Sequence, residues 1–177
     1  MSFKSFEDFL RCDKIYKGAN KMKNTICKIF AHFLYRGMKV LYKKDERVKN
    51  EIDQIANGTC FVLKFDLPKN ASFIAIEKTE NGLKKRKEIR KGDIVITFKS
   101  LDLAYQVITG QKGLCRSYAE HDFMLDGNIY DTMAFTRVVE IVEAHLFSKK
   151  KCSKILREVP KRSISVFSAY VLAIFGN

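Results

Sequence analysis

The chain has 177 residues, of which 33 are Lys or Arg and 20 are Asp or Glu, so its formal net charge is +13. Hydrophobic residues make up 46% of the sequence and only two residues are proline. This composition excludes a disordered or collagen-like chain, because so much apolar surface can offset the chain entropy lost on folding. The length suits one globular domain, which we predict over residues 1–177.

The N-terminus and the cysteines indicate a reducing location. Residues 1–14 carry charges every few positions and lack the uninterrupted apolar stretch of a secretory signal. We therefore expect a cytoplasmic protein. The five cysteines, at positions 12, 27, 60, 115 and 152, match neither a disulfide framework nor a paired zinc spacing. We expect reduced thiols, no metal and no cofactor.

The first 58 residues have the apolar pattern of helices. Phenylalanines on one stripe predict a short helix from Phe3 to Ile15. From Asn24 to Ile55, apolar residues recur every three or four positions between lysines and arginines, which predicts an amphipathic helix with Gly37 as the candidate break. Asn57-Gly58 then ends the helical region.

The apolar spacing next changes to the alternation that is typical of strands. Residues 61–65 and 73–78 are predicted strands, and Asn81-Gly82 predicts a hairpin turn because both of its residues take positive φ. The strand after it, residues 83–89, contains four consecutive basic residues, as suits an exposed edge strand. A fourth strand is predicted over residues 94–98, so that four antiparallel strands follow one another.

A helix, a strand and a long helix are predicted after these four strands. Ser100 can cap a helix from Leu101 to Ile108, which Gly110 ends. After an irregular link through Tyr118, residues 123–125 predict a fifth strand, and a turn then leads into the long helix. The apolar residues predicted on the buried side of that helix are Met133, Phe135, Val138, Val139, Val142 and Leu146. Because the strands run consecutively and do not alternate with crossover helices, the predicted fold class is α+β.

The C-terminal segment, residues 160–177, is strongly apolar. Ten residues from Val166 to Phe175 include one serine among apolar neighbours. A helix of this length rises about 15 Å and cannot span a hydrocarbon core of about 30 Å. The segment is either a helix packed on the protein, completing its core or covering an apolar opening, or an interfacial anchor assisted by nearby basic residues. The basic residues expected near a membrane are Lys149, Lys150, Lys151, Lys154, Arg157, Lys161 and Arg162.

The excess positive charge is unevenly distributed along the chain. Basic residues outnumber acidic ones in residues 1–58, 59–100 and 147–177, whereas acidic residues outnumber basic ones in residues 101–146. Such a surface attracts an anionic bilayer or nucleic acid, or is a solvated face without a specific partner. Nucleic acid is disfavoured because the runs of Lys and Arg lack interleaved aromatic residues.

No residue pattern predicts catalysis. The histidines are isolated, and the glycines do not form a phosphate-binding loop. Glu140 and Glu143 share a helix face, but solvated helix carboxylates have the same spacing. We therefore predict that the protein is not an enzyme. The remaining catalytic alternative would use Cys115 as a nucleophile with His121 as its partner.

The segment from Gly92 to Phe147 resembles the sterol carrier protein type-2 domain, also called the non-specific lipid-transfer protein family. In that family, as here, a strand is followed by a short helix ending in Thr-Gly or Ser-Gly, an irregular link, a strand ending in Gly-Asn or Gly-Asp, and a final helix. The order of the preceding elements also agrees, so the resemblance covers about residues 26–146. The chain departs from the family at His121, where many members have glycine, and in its N-terminal extension. The matching residues are Asp93, Ile96, Phe98, Thr109, Gly110, Leu125, Gly127 and Asn128.

The resemblance implies a five-stranded, mostly antiparallel sheet covered by helices and enclosing a hydrophobic cavity for a sterol, an acyl chain or another lipid. It divides the domain into N-terminal helices (1–58), a sterol-carrier-like sheet with its helices (59–147), and a basic segment with an apolar C-terminal helix (148–177). Alternation along the strands, taken with this fold, predicts the residues that line the cavity. They are Phe61, Leu63, Ile74, Ile76, Ile94, Ile96, Phe98, Tyr105, Phe123, Leu125, Met133 and Val142.

The function expected from the sequence is that of a non-catalytic lipid-binding or lipid-carrier protein. Its expected partner is an apolar small molecule, with an anionic membrane surface as the place where it loads. Residues 160–177 are expected to govern access to the cavity and attachment to membranes. The alternative is an accessory module of the same fold that lacks a free cavity and binds a protein partner.

Overall fold

The computed structural model describes residues 6–68 and 71–175. Within these ranges the chain forms seven helices and five strands. The helices are α1 (Phe6–Lys44), α2 (Glu46–Asp53), α3 (Leu101–Ile108), α4 (Leu114–Ala119), α5 (Ile129–Leu146), α6 (Lys149–Ile155) and α7 (Val166–Phe175). The strands are β1 (Cys60–Lys64), β2 (Phe73–Thr79), β3 (Gly82–Arg86), β4 (Ile94–Phe98) and β5 (Phe123–Asp126).

The five strands form one sheet in the order β3-β2-β1-β4-β5. Three of the four strand pairs are antiparallel, so the predicted α+β fold with a mostly antiparallel five-stranded sheet is confirmed. The prediction of four consecutive antiparallel strands is wrong, because β1 pairs in parallel with β4, with Phe61 opposite Ile94. The reason lies in β1, whose first four residues are all buried and therefore suit the centre of the sheet. The lysine-rich strand β3 lies at one edge, as predicted.

The N-terminal region contains one long helix, α1, where the sequence predicts a short helix and a second helix broken near Gly37. The chain breaks instead at Asp45, whose carboxylate caps α2 by accepting a hydrogen bond from the backbone N–H of Arg47 at 3.0 Å. Glycine at position 37 serves packing, because a Cβ atom there would lie 2.8 Å from Cγ1 of Val142 on α5. The apolar stripe and the cysteine predicted within residues 3–15 lie outside the side chains that the structure describes.

One face of the sheet packs against α1, α2, α3 and α5 and forms the main core. The rings of Phe61 and Phe135 stack there with centroids 4.3 Å apart. On the opposite face, Phe73 and Val95 pack against a smaller buried cluster around Val62. The sheet therefore has its large apolar side chains on the helical side.

The link after α3, predicted to be irregular, contains the short helix α4. Gly113 begins this helix at a point where the chain touches α6 closely, because a Cβ atom at Gly113 would lie 2.0 Å from the carbonyl oxygen of Ile155. The contact between two backbones far apart in sequence explains why the local pattern did not reveal α4.

We expect Gly37→Ala and Gly18→Ala to change stability in opposite directions. At Gly37 the added methyl group meets a fully buried valine, and overpacking of this kind costs about 1–3 kcal/mol. At Gly18, in the same helix, nothing lies within 4 Å of the added atom, so the change should stabilise the protein by up to about 1 kcal/mol through helix propensity. Urea unfolding measures both effects. Two stabilising substitutions would contradict the close approach of α1 and α5.

Candidate functional site

A cavity of about 170 Å³ lies between the helical face of the sheet and helices α1, α3, α5 and α7. Its wall is apolar except for the carboxyl group of Glu143 and the hydroxyl group of Tyr170. Helices supply most of the wall, and the sheet supplies its floor. The residues that line it are Ile29, Phe30, Phe33, Leu34, Leu63, Ile96, Phe98, Val107, Ile108, Leu114, Phe135, Val139, Glu143, Leu146, Phe147 and Tyr170.

The residues predicted to line a cavity fall into three groups in the structure. Leu63, Ile96 and Phe98 lie in the cavity wall. Most of the others lie in or against the surrounding core and not in the wall. These are Phe61, Ile74, Ile76, Ile94, Tyr105, Phe123, Leu125 and Val142.

Met133 is the predicted lining residue that the structure contradicts. Its side chain is 53% exposed on the outer surface of α5. Each residue turns an α-helix by about 100°, so Met133 points almost opposite to Phe135, which does line the cavity. The apolar character of Met133 suggested burial, but its helical position places it in solvent.

The helical residues that line the wall differ from those that the sequence predicts. Phe30, Phe33 and Leu34 come from the apolar stripe of α1, and Val107 comes from α3. The three- and four-residue spacing identified both helices as amphipathic. Spacing alone does not distinguish a packed face from the wall of a cavity, so it does not identify these residues as lining.

Helix α7 closes one side of the cavity. Tyr170 lies in the wall, and its hydroxyl group donates a hydrogen bond to the carbonyl oxygen of Leu146 at 2.5 Å. Ala169 is buried against the protein, whereas Phe167 and Ile174 are 78% and 50% exposed. The helix therefore covers the cavity with one face and presents large apolar side chains on another.

The segment before α7 is held at the carboxyl end of α5. The Arg162 guanidinium donates hydrogen bonds to the carbonyl oxygens of Ala144 and Phe147, at 2.7 and 2.9 Å. The backbone N–H of Ser163 donates to Nε2 of the fully buried His145 at 2.9 Å. These bonds satisfy polar groups that would otherwise be left unpaired at the end of a buried helix.

Glu143 is a buried acidic residue in the cavity wall. Its residue surface is 7% exposed, and its Oε2 atom has no hydrogen-bond partner within the described residues. Burial, and to a smaller extent the charge of Glu140, raises the pKa of Glu143 to about 8. The group is therefore predominantly a neutral carboxylic acid at pH 7.

The basic residues near the C-terminus divide into exposed and structural ones. Arg162 is committed to the end of α5, and the Lys151 ammonium donates a hydrogen bond to the carbonyl oxygen of Thr109 at 2.6 Å. A surface groove lined by Lys149, Lys150 and Lys161 leads to the first residue of α7. The exposed residues of the predicted set are Lys149, Lys150, Lys154, Arg157 and Lys161.

The candidate nucleophile Cys115 lies in an unfavourable environment for that chemistry. Its thiol donates a hydrogen bond to Oε1 of Glu140 at 3.2 Å. Burial and the neighbouring Glu140 raise the pKa of the thiol to about 11, whereas a reactive cysteine needs a lowered pKa.

Within the described side chains, no group of three or more His, Cys, Asp or Glu residues is placed to hold a metal ion. In the part of the chain that the structure describes, no helix combines the length and the apolar character required to cross a membrane.

No protein-family model and no curated protein matches the chain. Several solved structures are similar to it, among them the following three. A UbiJ-SCP2 ubiquinone synthesis protein has 10% identity and a TM-score of 0.43, with 74% of this chain and 97% of that chain covered. Sterol carrier protein 2 from Yarrowia lipolytica, in its apo form, has 17% identity and a TM-score of 0.40, covering 63% and 87%. Sterol carrier protein domain 2 of Helicoverpa armigera has 16% identity and a TM-score of 0.40, covering 66% and 92%.

We expect Glu143→Gln to flatten the pH dependence of stability. Between pH 4.5 and about 8 the folded protein keeps a proton that Glu143 has lost in the unfolded chain. The stability contributed by this group is therefore complete below pH 4.5 and is lost as the pH rises to about 8, by up to about 1.4 kcal/mol per pH unit. Urea unfolding from pH 5 to 9 measures the loss. If the free energy of unfolding changes with pH in the same way for the wild type and for Glu143→Gln, the raised pKa of Glu143 is contradicted.

Proposed function

We propose that this protein is a non-catalytic lipid-binding or lipid-carrier protein that holds an acyl chain, a sterol or a similar apolar ligand between its sheet and helices. The observation that carries the proposal is the apolar cavity, whose wall contains only two polar side chains among sixteen lining residues. A wall of this kind suits an apolar ligand with few directed polar groups.

The size of the cavity requires a movable cover. Its volume of about 170 Å³ is close to that of an engineered cavity that binds benzene, about 150 Å³, and below the range of about 300–1,000 Å³ that is usual for ligand pockets. A sterol or a long acyl chain therefore needs the cavity to widen. Helix α7 is the element best placed to move, because its exposed apolar face is not packed against the described protein and its neighbouring segment is anchored separately at Arg162 and Ser163.

We propose an anionic membrane as the surface on which α7 opens. Phe167, Val171 and Ile174 are exposed and share a face by their spacing of four and three residues. Lys149 and Lys161 line the groove that leads to the start of this helix. An exposed apolar helix face beside basic side chains suits the interface of an anionic bilayer, where each basic residue contributes about 1 kcal/mol. The apolar face would be buried in lipid while the cavity is open for exchange.

A second candidate is an accessory module of the same fold that acts through a protein partner. This alternative keeps the fold and gives the cavity, of about 170 Å³, no ligand to hold. In that case the exposed face of α7 or the basic surface would contact the partner. The two candidates differ in whether the cavity takes up a ligand.

We expect Val139→Phe to block lipid uptake with little loss of stability. Val139 lines the cavity, so the added ring would occupy space that is empty. Uptake of a fluorescent acyl or sterol probe should fall at least about tenfold, while the urea midpoint stays near that of the wild type. Val138→Phe is the matched control, because Val138 is fully buried outside the cavity wall and overpacking there costs about 1–3 kcal/mol. Wild-type protein that takes up no fatty acid or sterol probe, and releases no lipid on solvent extraction, would favour the accessory module.

Removal of α7 should weaken membrane binding while the core stays folded. A chain ending at Ser165 keeps the hydrogen bonds of Arg162 and Ser163 at the end of α5 and loses that of Tyr170 to the carbonyl oxygen of Leu146, an exposed bond that water can replace. It should sediment less with anionic vesicles than the full chain does, and high salt should reduce binding of the full chain because exposed charges are screened. The full-length variant with both Phe167→Ser and Ile174→Ser loses the exposed apolar side chains but keeps the helix, and therefore controls for the shortening of the chain. Equal sedimentation of all three proteins would contradict the role of α7.

A further inference from the structure

We propose that Glu143 is the polar anchor of the cavity and selects a lipid that carries an uncharged hydroxyl group over one that carries a carboxylate. This inference rests on the proposed lipid-binding function and names the class of ligand. It starts from the position of one carboxyl group, which lies in an otherwise apolar wall and is 7% exposed.

The hydrogen-bonding capacity of the cavity wall is concentrated at Glu143. The other polar side chain in the wall, the hydroxyl group of Tyr170, already donates to the carbonyl oxygen of Leu146. The Oε2 atom of Glu143 has no partner among the described residues. A buried polar atom without a partner costs about 1–3 kcal/mol, and a ligand that supplies the partner recovers part of this cost.

The chemistry of the wall favours a hydroxyl group as that partner. A neutral carboxyl group donates one hydrogen bond and accepts others, and a hydroxyl group has the same two capacities. The raised pKa of Glu143 supports the neutral form near pH 7.

A ligand carboxylate would bring a negative charge out of water into an apolar wall whose described lining residues include no Lys or Arg, and close to the charge of Glu140. A ligand ammonium group would require Glu143 to ionise, which creates a buried ion pair with a large desolvation cost. Both charged ligands are therefore disfavoured at this end of the cavity.

The experiment measures binding of small probes by NMR titration of the full-length protein at pH 7. The probes are benzene, hexanol, hexanoate and hexylamine, which are small enough to test the cavity without requiring a sterol to enter. Wild-type protein should bind hexanol at least about tenfold more tightly than hexanoate or hexylamine.

Variants at Glu143 then test the anchor itself. Glu143→Leu should weaken hexanol binding by about three- to tenfold, the value of one hydrogen bond, and leave benzene binding equal or tighter. Glu143→Gln keeps a donor and an acceptor and should stay within about twofold of the wild type for hexanol. It also tests the anchor if the leucine variant does not fold. Asp131→Asn, in the first turn of the same helix and outside the cavity wall, is the matched control.

The outcomes separate this inference from the proposed function. The role of Glu143 as anchor is wrong, and the lipid-binding function stands, if benzene and hexanol bind but Glu143→Leu does not weaken hexanol binding, or if Glu143→Gln weakens it by more than about twofold. The same holds if hexanoate or hexylamine binds as tightly as hexanol. If no probe binds to the wild type, both proposals are overturned.

Discussion

The carboxyl end of α5 lies inside the protein, and its backbone carbonyl groups must find donors there. Arg162 and Tyr170 provide them, at the carbonyl oxygens of Ala144, Phe147 and Leu146. Since an unpaired buried carbonyl group is costly, this requirement brings residues 161–170 back onto α5. The path of the C-terminal segment, and with it the position of α7 over the cavity, follows from that constraint.

The same end of α5 also defines the character of the cavity. Glu143 lies in the last turn of α5. It is a buried acidic side chain that faces an apolar space. A fully interdigitated core would exclude both the space and the carboxyl group, because packing and polar satisfaction each disfavour them. Their presence together is the feature of this region on which the proposed ligand binding is argued.

The two parts of the C-terminal region, residues 161–163 and helix α7, are held to the protein in different ways. Residues 161–163 are integrated into the protein by directed hydrogen bonds, so their removal would take away the donors to Nε2 of His145 and to the carbonyl oxygen of Ala144. Helix α7 lies against α1 and α5 and is tied to them by hydrogen bonds from Tyr170 to the carbonyl oxygen of Leu146 and from Arg36 to that of Ile174. An anchored segment followed by a helix with an exposed apolar face is suited to a cover that opens without unfolding the domain.

Local patterns were enough to predict the five strands, most of the helices and their order, and the α+β class, but they did not reveal α4, α6 or the continuity of α1. Alternation placed Leu63, Ile96 and Phe98 on the helical face of the sheet, and the charge of the strand after Asn81-Gly82 placed it at an edge. These features depend on which side of a helix or strand is apolar, and the spacing of apolar residues along the sequence shows this directly.

Tertiary packing decided the features that depend on which distant segments meet. These include the parallel pairing of β1 with β4, the continuity of α1 through Gly37, and the position of α7 beside α1 and α5. The burial of Glu143 belongs with them, since its spacing from Glu140 is equally typical of a solvated helix face. A sequence shows that a side chain is apolar or acidic, but only the packed structure shows whether it faces a neighbour, water or an empty space.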